Sequence, residues 1–272
     1  MVNEYVIRRP TAYLYEEPDA SGAVSDELLY GTRLFCLGDS AETQKNMFYC
    51  ETSYGYRGFA ERKAAARVLG SRHDVSYAVV TSPFCDVLPS PEYRYRPVMM
   101  LFRGSTVELC RTEQTFSDYT AVIADGARRY VRTSQIKKVT EQAPLVSRKR
   151  RCDIVDTALS YVGTPYRWAG KSTEGIDCSG LCFMAYTLNG VGLWRDAVPD
   201  SKYVRTIPFE NLEPADLVYY KGHVVMYIGA GEYVHSSATL GGVTVSSFDE
   251  SSPVFYPKLS RGILCCAASR EL

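Results

Sequence analysis

The chain has 272 residues, of which 46% are hydrophobic and 23% charged, an ordinary composition for a globular protein. Its 31 basic side chains balance its 31 acidic ones, so no overall field favours nucleic acid as a partner. The sequence contains no apolar stretch long enough to span a bilayer, so we expect no membrane insertion.

The cysteines indicate the compartment. There are nine of them, an odd number without regular spacing. A secreted domain rarely leaves so many thiols unpaired, so we predict a reducing, cytoplasmic location. The first five residues lack an apolar secretory signal, although a removed leader would leave a secreted or wall-associated protein as the alternative. No cysteine cluster has zinc-ligand spacing, and we predict no metal and no cofactor.

The first half of the chain predicts two small all-β modules, residues 1–72 and 73–140. It is rich in Tyr, Val, Thr and Arg, with turn signals every eight to twelve residues. Each module has a glycine turn before an alternating strand, as in Leu-Leu-Tyr-Gly at 28–31 and Leu-Phe-Arg-Gly at 101–104. Modules of about 65 residues have marginal cores, so they should pack on each other or on a larger neighbour.

A linker and an α+β domain are predicted to follow. Residues 141–151 contain a proline and a run of four basic residues, which favours a solvated linker over a binding patch. Helical periodicity then starts near Cys152, with Asp153 as a plausible N-cap, and a second helix starts at Cys178. Strands are predicted at 216–220, 223–228, 233–236, 243–247 and 262–266. Helices followed by consecutive strands indicate an antiparallel α+β domain over 152–272.

Cys178 is the first candidate for chemistry. It lies at a turn-to-helix start in Asp-Cys-Ser-Gly-Leu, and only two histidines, His223 and His235, follow it. A thiol needs a base to become a thiolate near neutral pH, and imidazole suits that role. The free amides and dipole of a helix start stabilise a thiolate, and one amide can donate to an oxyanion.

The two histidines fit a hairpin. His223 opens a strand after Gly222, and His235 follows twelve residues later. Neighbouring antiparallel strands can place one imidazole beside the other, so the second would orient the first. Alternatively, a cysteine at a helix start is often structural, and strand histidines can be core residues. The three residues together, in this order, favour catalysis.

These residues lie within a broader resemblance. The matching runs are Gly-Thr-Pro-Tyr-Arg-Trp at 163–168, Asp-Cys-Ser-Gly-Leu at 177–181, Arg-Asp-Ala at 195–197, Pro-Ala-Asp-Leu-Val-Tyr-Tyr at 214–220, Gly-His-Val at 222–224, Tyr-Ile-Gly at 227–229 and Tyr-Val-His-Ser at 233–236. With them, the second half resembles the NlpC-type cell-wall cysteine peptidases, which have a papain-like fold. The upstream modules resemble bacterial SH3-like barrels. The fold class expected is an α+β papain-like domain preceded by two such barrels.

The resemblance implies roles for four catalytic residues. Cys178 would be the nucleophile, His223 the general base and His235 the orienting third member. Tyr166 would donate its hydroxyl to the oxyanion, beside the Cys178 amide.

The whole chain is similar to a subgroup that cleaves γ-D-glutamyl–diamino acid bonds in murein peptides, with the first barrel walling the pocket. Asp177 would then bind the free α-amine of the substrate, because a buried carboxylate pairs with an ammonium and rejects N-substituted peptides. Ser179, Tyr56 and Asp196 are the other substrate-binding candidates. Tyr56 is equally a candidate barrel-closing aromatic, and Asp196 a candidate for a structural salt bridge.

Three positions depart from the family pattern. Relatives often have an acid where this chain has Thr32, Ser where it has Ala197, and Gly where it has Ala169. The first two bear on recognition of the substrate's amine and glutamyl carboxylate.

The leading hypothesis is therefore a cysteine peptidase that hydrolyses murein peptides with a free N-terminal L-Ala after γ-D-Glu, through a thioester, in cell-wall recycling. A murein-derived peptide is its expected partner. The alternatives are a cysteine amidase or acyltransferase acting on intact wall, and a non-catalytic wall-binding module.

Overall fold

The computed structural model describes residues 3–38, 46–68, 75–110, 118–139 and 148–272. The chain divides into two compact units, Met1–Glu141 and Gln142–Leu272. The predicted module boundary at residue 72 and the linker residues 141–147 lie outside the described residues. Across the described ranges, we find no helix with the length and apolar character needed to cross a membrane.

The first module forms a seven-stranded antiparallel sheet. Its strands are β1 (Glu4–Ile7), β2 (Thr11–Tyr15), β3 (Val24–Leu29), β4 (Arg33–Gly38), β5 (Met47–Thr52), β6 (Arg57–Glu61) and β7 (Ala65–Arg67). They lie in the order β3-β2-β6-β5-β4-β1-β7, around a core that includes Leu14, Leu28, Leu34 and Phe48. Among the described strands no pairing joins β3 to β7, so the sheet is not a closed ring and the SH3-like assignment stays a prediction.

The second module is also antiparallel. Its strands are β8 (Tyr77–Val80), β9 (Phe84–Val87), β10 (Met99–Phe102), β11 (Thr106–Leu109), β12 (Tyr119–Ala124), β13 (Ala127–Arg132) and β14 (Ile136–Lys138). A five-stranded sheet has the order β13-β12-β11-β8-β14, and β9 and β10 form a separate hairpin.

Tyr30 joins the two modules. Its side chain is 1% exposed and packs in the core of the second module with Val80 and Leu101. The Thr106 amide donates to the Tyr30 carbonyl at 2.8 Å. The next residue, Gly31, has φ +84°, and a Cβ there would lie 2.1 Å from the Thr106 carbonyl oxygen. The expectation that these small modules pack on each other is met by this contact.

The two α-helices of the described residues, α1 (Arg148–Leu159) and α2 (Cys178–Thr187), lie in the second unit. Its strands are β15 (Lys171–Ser172), β16 (Gly175–Ile176), β17 (Val204–Ile207), β18 (Leu217–Tyr220), β19 (His223–Gly229), β20 (Glu232–Ser237), β21 (Gly242–Ser247) and β22 (Cys265–Ser269). Six of them form an antiparallel sheet in the order β17-β22-β18-β19-β20-β21, as expected for an α+β domain. The sequence patterns missed β17 and the β15–β16 hairpin.

The start of α1 corrects the predicted linker boundary. The helix begins at Arg148, inside the predicted linker, so Asp153 lies within the helix and is not its N-cap. Arg150 is buried and donates to the carbonyls that follow the C-terminus of α2. Arg151 pairs with the buried Asp216 at 2.8 Å. Arg150 and Arg151 are therefore not solvated as a linker predicts, because their charges satisfy carbonyls and a carboxylate inside the unit.

Candidate active site

The candidate nucleophile begins α2, as the sequence predicts. Cys178 is the first helical residue and is 6% exposed. Asp177 is the N-cap, and its carboxylate accepts from the Gly180 amide at 2.5 Å. The Val224 and Ser179 amides also hydrogen-bond toward the Cys178 sulfur. Since Val224 follows His223, this contact brings the start of β19 to the start of α2.

The two histidines lie on neighbouring strands, β19 and β20. His223 Nε2 is 3.0 Å from His235 Nδ1, and the His235 side chain is fully buried. If His223 Nε2–H donates to His235, then His223 Nδ1 is left as the acceptor for a thiol proton. The structure thus brings Cys178, His223 and His235 to one region, where the start of β19 meets the start of α2.

Ser246 extends the series of contacts from His223 to His235, and sequence reasoning missed it. Its hydroxyl oxygen on β21 lies 3.3 Å from His235 Nε2. By accepting the Nε2–H of His235, it keeps His235 Nδ1 free to accept from His223. No motif marks this residue, because its role depends on a contact across neighbouring strands.

Burial sets the resting charge of the site. Burial and then the Asp177 charge raise the pKa of the Cys178 thiol to about 11, against the opposing Val224 and Ser179 amides and Arg195. Burial also lowers the pKa of His223 to about 4, helped by the charge of Lys258 and opposed by Asp177. Both shifts have the same cause, since burial disfavours the charged thiolate and the charged imidazolium alike.

Tyr166 is held next to this pair. Its amide donates to the Gly241 carbonyl at 3.0 Å, in the turn between β20 and β21. Burial and then the charges of Cys178 and Asp177 raise the pKa of the Tyr166 hydroxyl to about 12. The hydroxyl is therefore protonated at neutral pH and can serve as a hydrogen-bond donor.

Asp177 is engaged by a buried arginine. Arg195 is 2% exposed, and its two terminal nitrogens each lie 3.1 Å from one oxygen of Asp177. It also donates to the Ser179 hydroxyl at 2.9 Å and to the Ala169 carbonyl at 2.8 Å. Ala169, one of the departures from the family pattern, has φ +60°, a left-handed conformation that favours glycine.

The remaining predicted residues lie in two places. Ser179 and Asp196 line one narrow crevice, together with Trp194 and Val224, beside the nucleophile. Tyr56 belongs to the other unit, where it packs against the core of the first module. Its contact with substrate stays a prediction.

The buried histidines predict a pH dependence of stability. Burial lowers the pKa of folded His235 to about 3, from 6.5. Between these values the unfolded chain binds more protons, so this stability is present above pH 6.5 and lost as the pH falls. Between pH 7 and pH 4 we expect the free energy of unfolding to fall by about 2 kcal/mol more in wild type than in a His235→Gln variant. Urea denaturation at both pH values measures this, and equal losses would contradict it.

Comparison with known proteins places this site in a family. Residues 163–256 match the NlpC/P60 family. Over 258 residues the chain is 34% identical to the Dipeptidyl-peptidase 6 of Lysinibacillus sphaericus, covering 93% of this chain and 94% of that relative. The chain belongs to the NlpC/P60 family. As an NlpC/P60 protein it is a cysteine peptidase, a hydrolase.

Two further comparisons are with proteins of Bacillus cereus, one by sequence and one by structure. A Gamma-D-glutamyl-L-lysine dipeptidyl-peptidase of Bacillus cereus is 27% identical over 192 residues, covering 67% of this chain and 56% of that protein. The crystal structure of an NlpC/P60 family protein from Bacillus cereus aligns over 97% of this chain and 98% of its own, with a TM-score of 0.78 and 18% identity. That likeness concerns the fold, and it supports the papain-like NlpC/P60 assignment of the second unit.

Proposed function

We propose that this NlpC/P60 peptidase hydrolyses the γ-D-glutamyl–diamino acid bond of murein peptides that carry a free N-terminal L-Ala. The observation that carries the proposal is the Asp177 carboxylate, buried directly before the nucleophile. Its Oδ1 accepts from Gly180, Ser179 and Arg195. Among the contacts of the described residues its Oδ2 accepts only from Arg195, so it can accept from one more donor, such as an ammonium.

The residues of the site support the following reaction. His223 takes the Cys178 proton as the sulfur attacks the γ-carbonyl carbon, and the resulting oxyanion accepts from the Cys178 amide and the Tyr166 hydroxyl. The imidazolium of His223 then gives its proton to the leaving amine of the diamino acid, and a thioester remains. Water activated by His223 hydrolyses the thioester and returns the thiol.

The relatives support this substrate class. Two proteins similar to this chain are named Gamma-D-glutamyl-L-lysine dipeptidyl-peptidases, and the one similar over 93% of the chain is a dipeptidyl-peptidase. Because that similarity extends through the upstream modules, we include them in the proposal. They would be SH3-like barrels, with Tyr56 of the first contributing to recognition of the substrate amine.

The free cysteines bear on the cellular compartment in which the enzyme acts. All nine are free thiols, including Cys36 and Cys50, which face each other on β4 and β5. Free thiols in this number suit a reducing compartment. We therefore propose that the enzyme recycles soluble murein peptides in the cytoplasm.

The test compares L-Ala-γ-D-Glu-meso-diaminopimelate with its N-acetyl form. Wild type is expected to release the diamino acid from the free peptide and to cleave the acetylated one at least about 100-fold less well, because acetylation leaves a buried carboxylate without its ammonium. Mass spectrometry of the products measures both rates. Equal cleavage would refute amine recognition, and cleavage of glycan-linked peptide alone would favour the amidase alternative.

A further inference from the structure

One segment covers the face of the sheet that carries both histidines. The Tyr256 ring lies 5.9 Å from the His235 ring, measured between centroids. The Tyr220 hydroxyl donates to the Leu259 carbonyl at 2.8 Å, and the Tyr220 and His223 rings are 6.4 Å apart. A 3-10 turn, Pro257–Leu259, is therefore fixed above the histidines at both of its ends.

Lys258 lies in the middle of this turn and is exposed. Its ammonium donates to the Thr239 hydroxyl at 3.1 Å. Thr239 belongs to the same β20–β21 turn in which the Gly241 carbonyl holds the Tyr166 amide. The Lys258 ammonium is therefore held on the β20–β21 turn, which also holds the backbone of Tyr166, the residue proposed to stabilise the oxyanion.

The charge of Lys258 acts on the catalytic base. It lowers the pKa of His223, whereas the charge of Asp177 raises it, so both groups are within electrostatic reach of the imidazole. Lys258 therefore contributes positive charge on the imidazole side, whereas the Asp177 carboxylate lies at the helix start with its partner Arg195. A substrate with an ammonium at one end and a carboxylate at the other matches this polarity.

The chemistry determines which part of the substrate lies beside Cys178 and which part lies beside His223. The acyl part stays on the Cys178 sulfur, and the departing amine takes its proton from His223. The diamino acid must therefore pass on the imidazole side, where Lys258 lies. A lysine side chain on a flexible stem can reach a carboxylate there as a point charge.

We propose that Lys258 binds a carboxylate of the diamino acid leaving group. The inference rests on the proposed function, since it concerns the same scissile bond. The carboxylate has two sources, namely the α-carboxylate of a C-terminal diamino acid and the second carboxylate of diaminopimelate.

Four peptides separate these sources. They are L-Ala-γ-D-Glu-L-Lys, L-Ala-γ-D-Glu-meso-diaminopimelate and both peptides with the α-carboxylate of the diamino acid amidated. Lys258→Gln is expected to raise KM about fivefold, with kcat nearly unchanged, on peptides whose leaving group carries the bound carboxylate. On the amidated lysine peptide, whose leaving group has no carboxylate, KM should not change. Lys258→Arg should keep most of the wild-type KM.

The outcomes identify the bound carboxylate, and they separate failure of this inference from failure of the proposed function. An effect that persists on the amidated diaminopimelate peptide assigns the second carboxylate, and one that disappears there assigns the α-carboxylate. The same KM increase on the amidated lysine peptide, or no increase on any peptide, overturns the inference while leaving the proposed function standing. Wild type that cleaves none of the four refutes the proposed function and the inference with it. Lys202→Gln is the matched control, because Lys202 is an exposed lysine in the turn just before β17, the far edge strand of the sheet.

Discussion

Cys178→Ala is expected to lower kcat for γ-D-glutamyl peptide hydrolysis by at least about 10⁴-fold, because no thioester can form without the sulfur. The remaining site would still hold substrate, so KM should change little. Chromatographic assay of released diamino acid measures the loss. The fold should be kept, since the change removes one atom from the first residue of α2.

The matched control for this variant is Cys152→Ala. Cys152 is an exposed thiol on α1 in the same unit. It should keep wild-type rates, so a large loss there would show that the assay reports thiol content in general. Unchanged turnover by Cys178→Ala would refute the assignment of the nucleophile.

Arg195→Met is expected to lower the free energy of unfolding by about 3 kcal/mol, because it leaves the Asp177 carboxylate buried without its ion-pair partner. Arg195 also donates to Ser179 and to the Ala169 carbonyl, so one substitution removes support from three points around the nucleophile. Urea denaturation followed by fluorescence measures the change.

A double variant tests the cause of that loss. Asp177→Asn combined with Arg195→Met removes the unpaired charge, and asparagine can still cap α2. The double variant should therefore recover much of the lost stability. Arg205→Met, an exposed arginine on β17, should stay within about 0.5 kcal/mol of wild type. A loss below 1 kcal/mol for Arg195→Met, or no recovery in the double variant, would contradict this account.

Prediction from the sequence was most accurate where the signal for a helix or strand lies at the start of that helix or strand. The Asp-Cys-Ser-Gly-Leu turn predicts a helix start at Cys178, and the helix starts there, with Asp177 as its N-cap. Gly222 before His223 marks the turn that opens β19. These two signals were enough to predict that the cysteine and the first histidine begin their elements.

Other features depend on contacts between distant residues and have no local signal. Arg195 donates to Asp177, which lies 18 positions earlier in the chain, and the Arg-Asp-Ala motif that contains Arg195 does not indicate this partner. The basic run at the start of α1 has linker composition, yet Arg150 and Arg151 are drawn into the helix by carbonyls and a carboxylate far along the chain. Lys258 lies in a segment without periodicity, and only the packing of that segment on the histidines gives it a position.

The way Tyr30 is buried bears on how this protein could have been assembled in evolution. A side chain of the first β-module completes the core of the second, and Gly31 admits no larger residue against the Thr106 backbone. Exchanging either module alone by recombination would leave a cavity in one core and an exposed tyrosine on the other. The two modules are therefore expected to be inherited as a pair, with a viable crossover point at the boundary between the two units rather than between the modules.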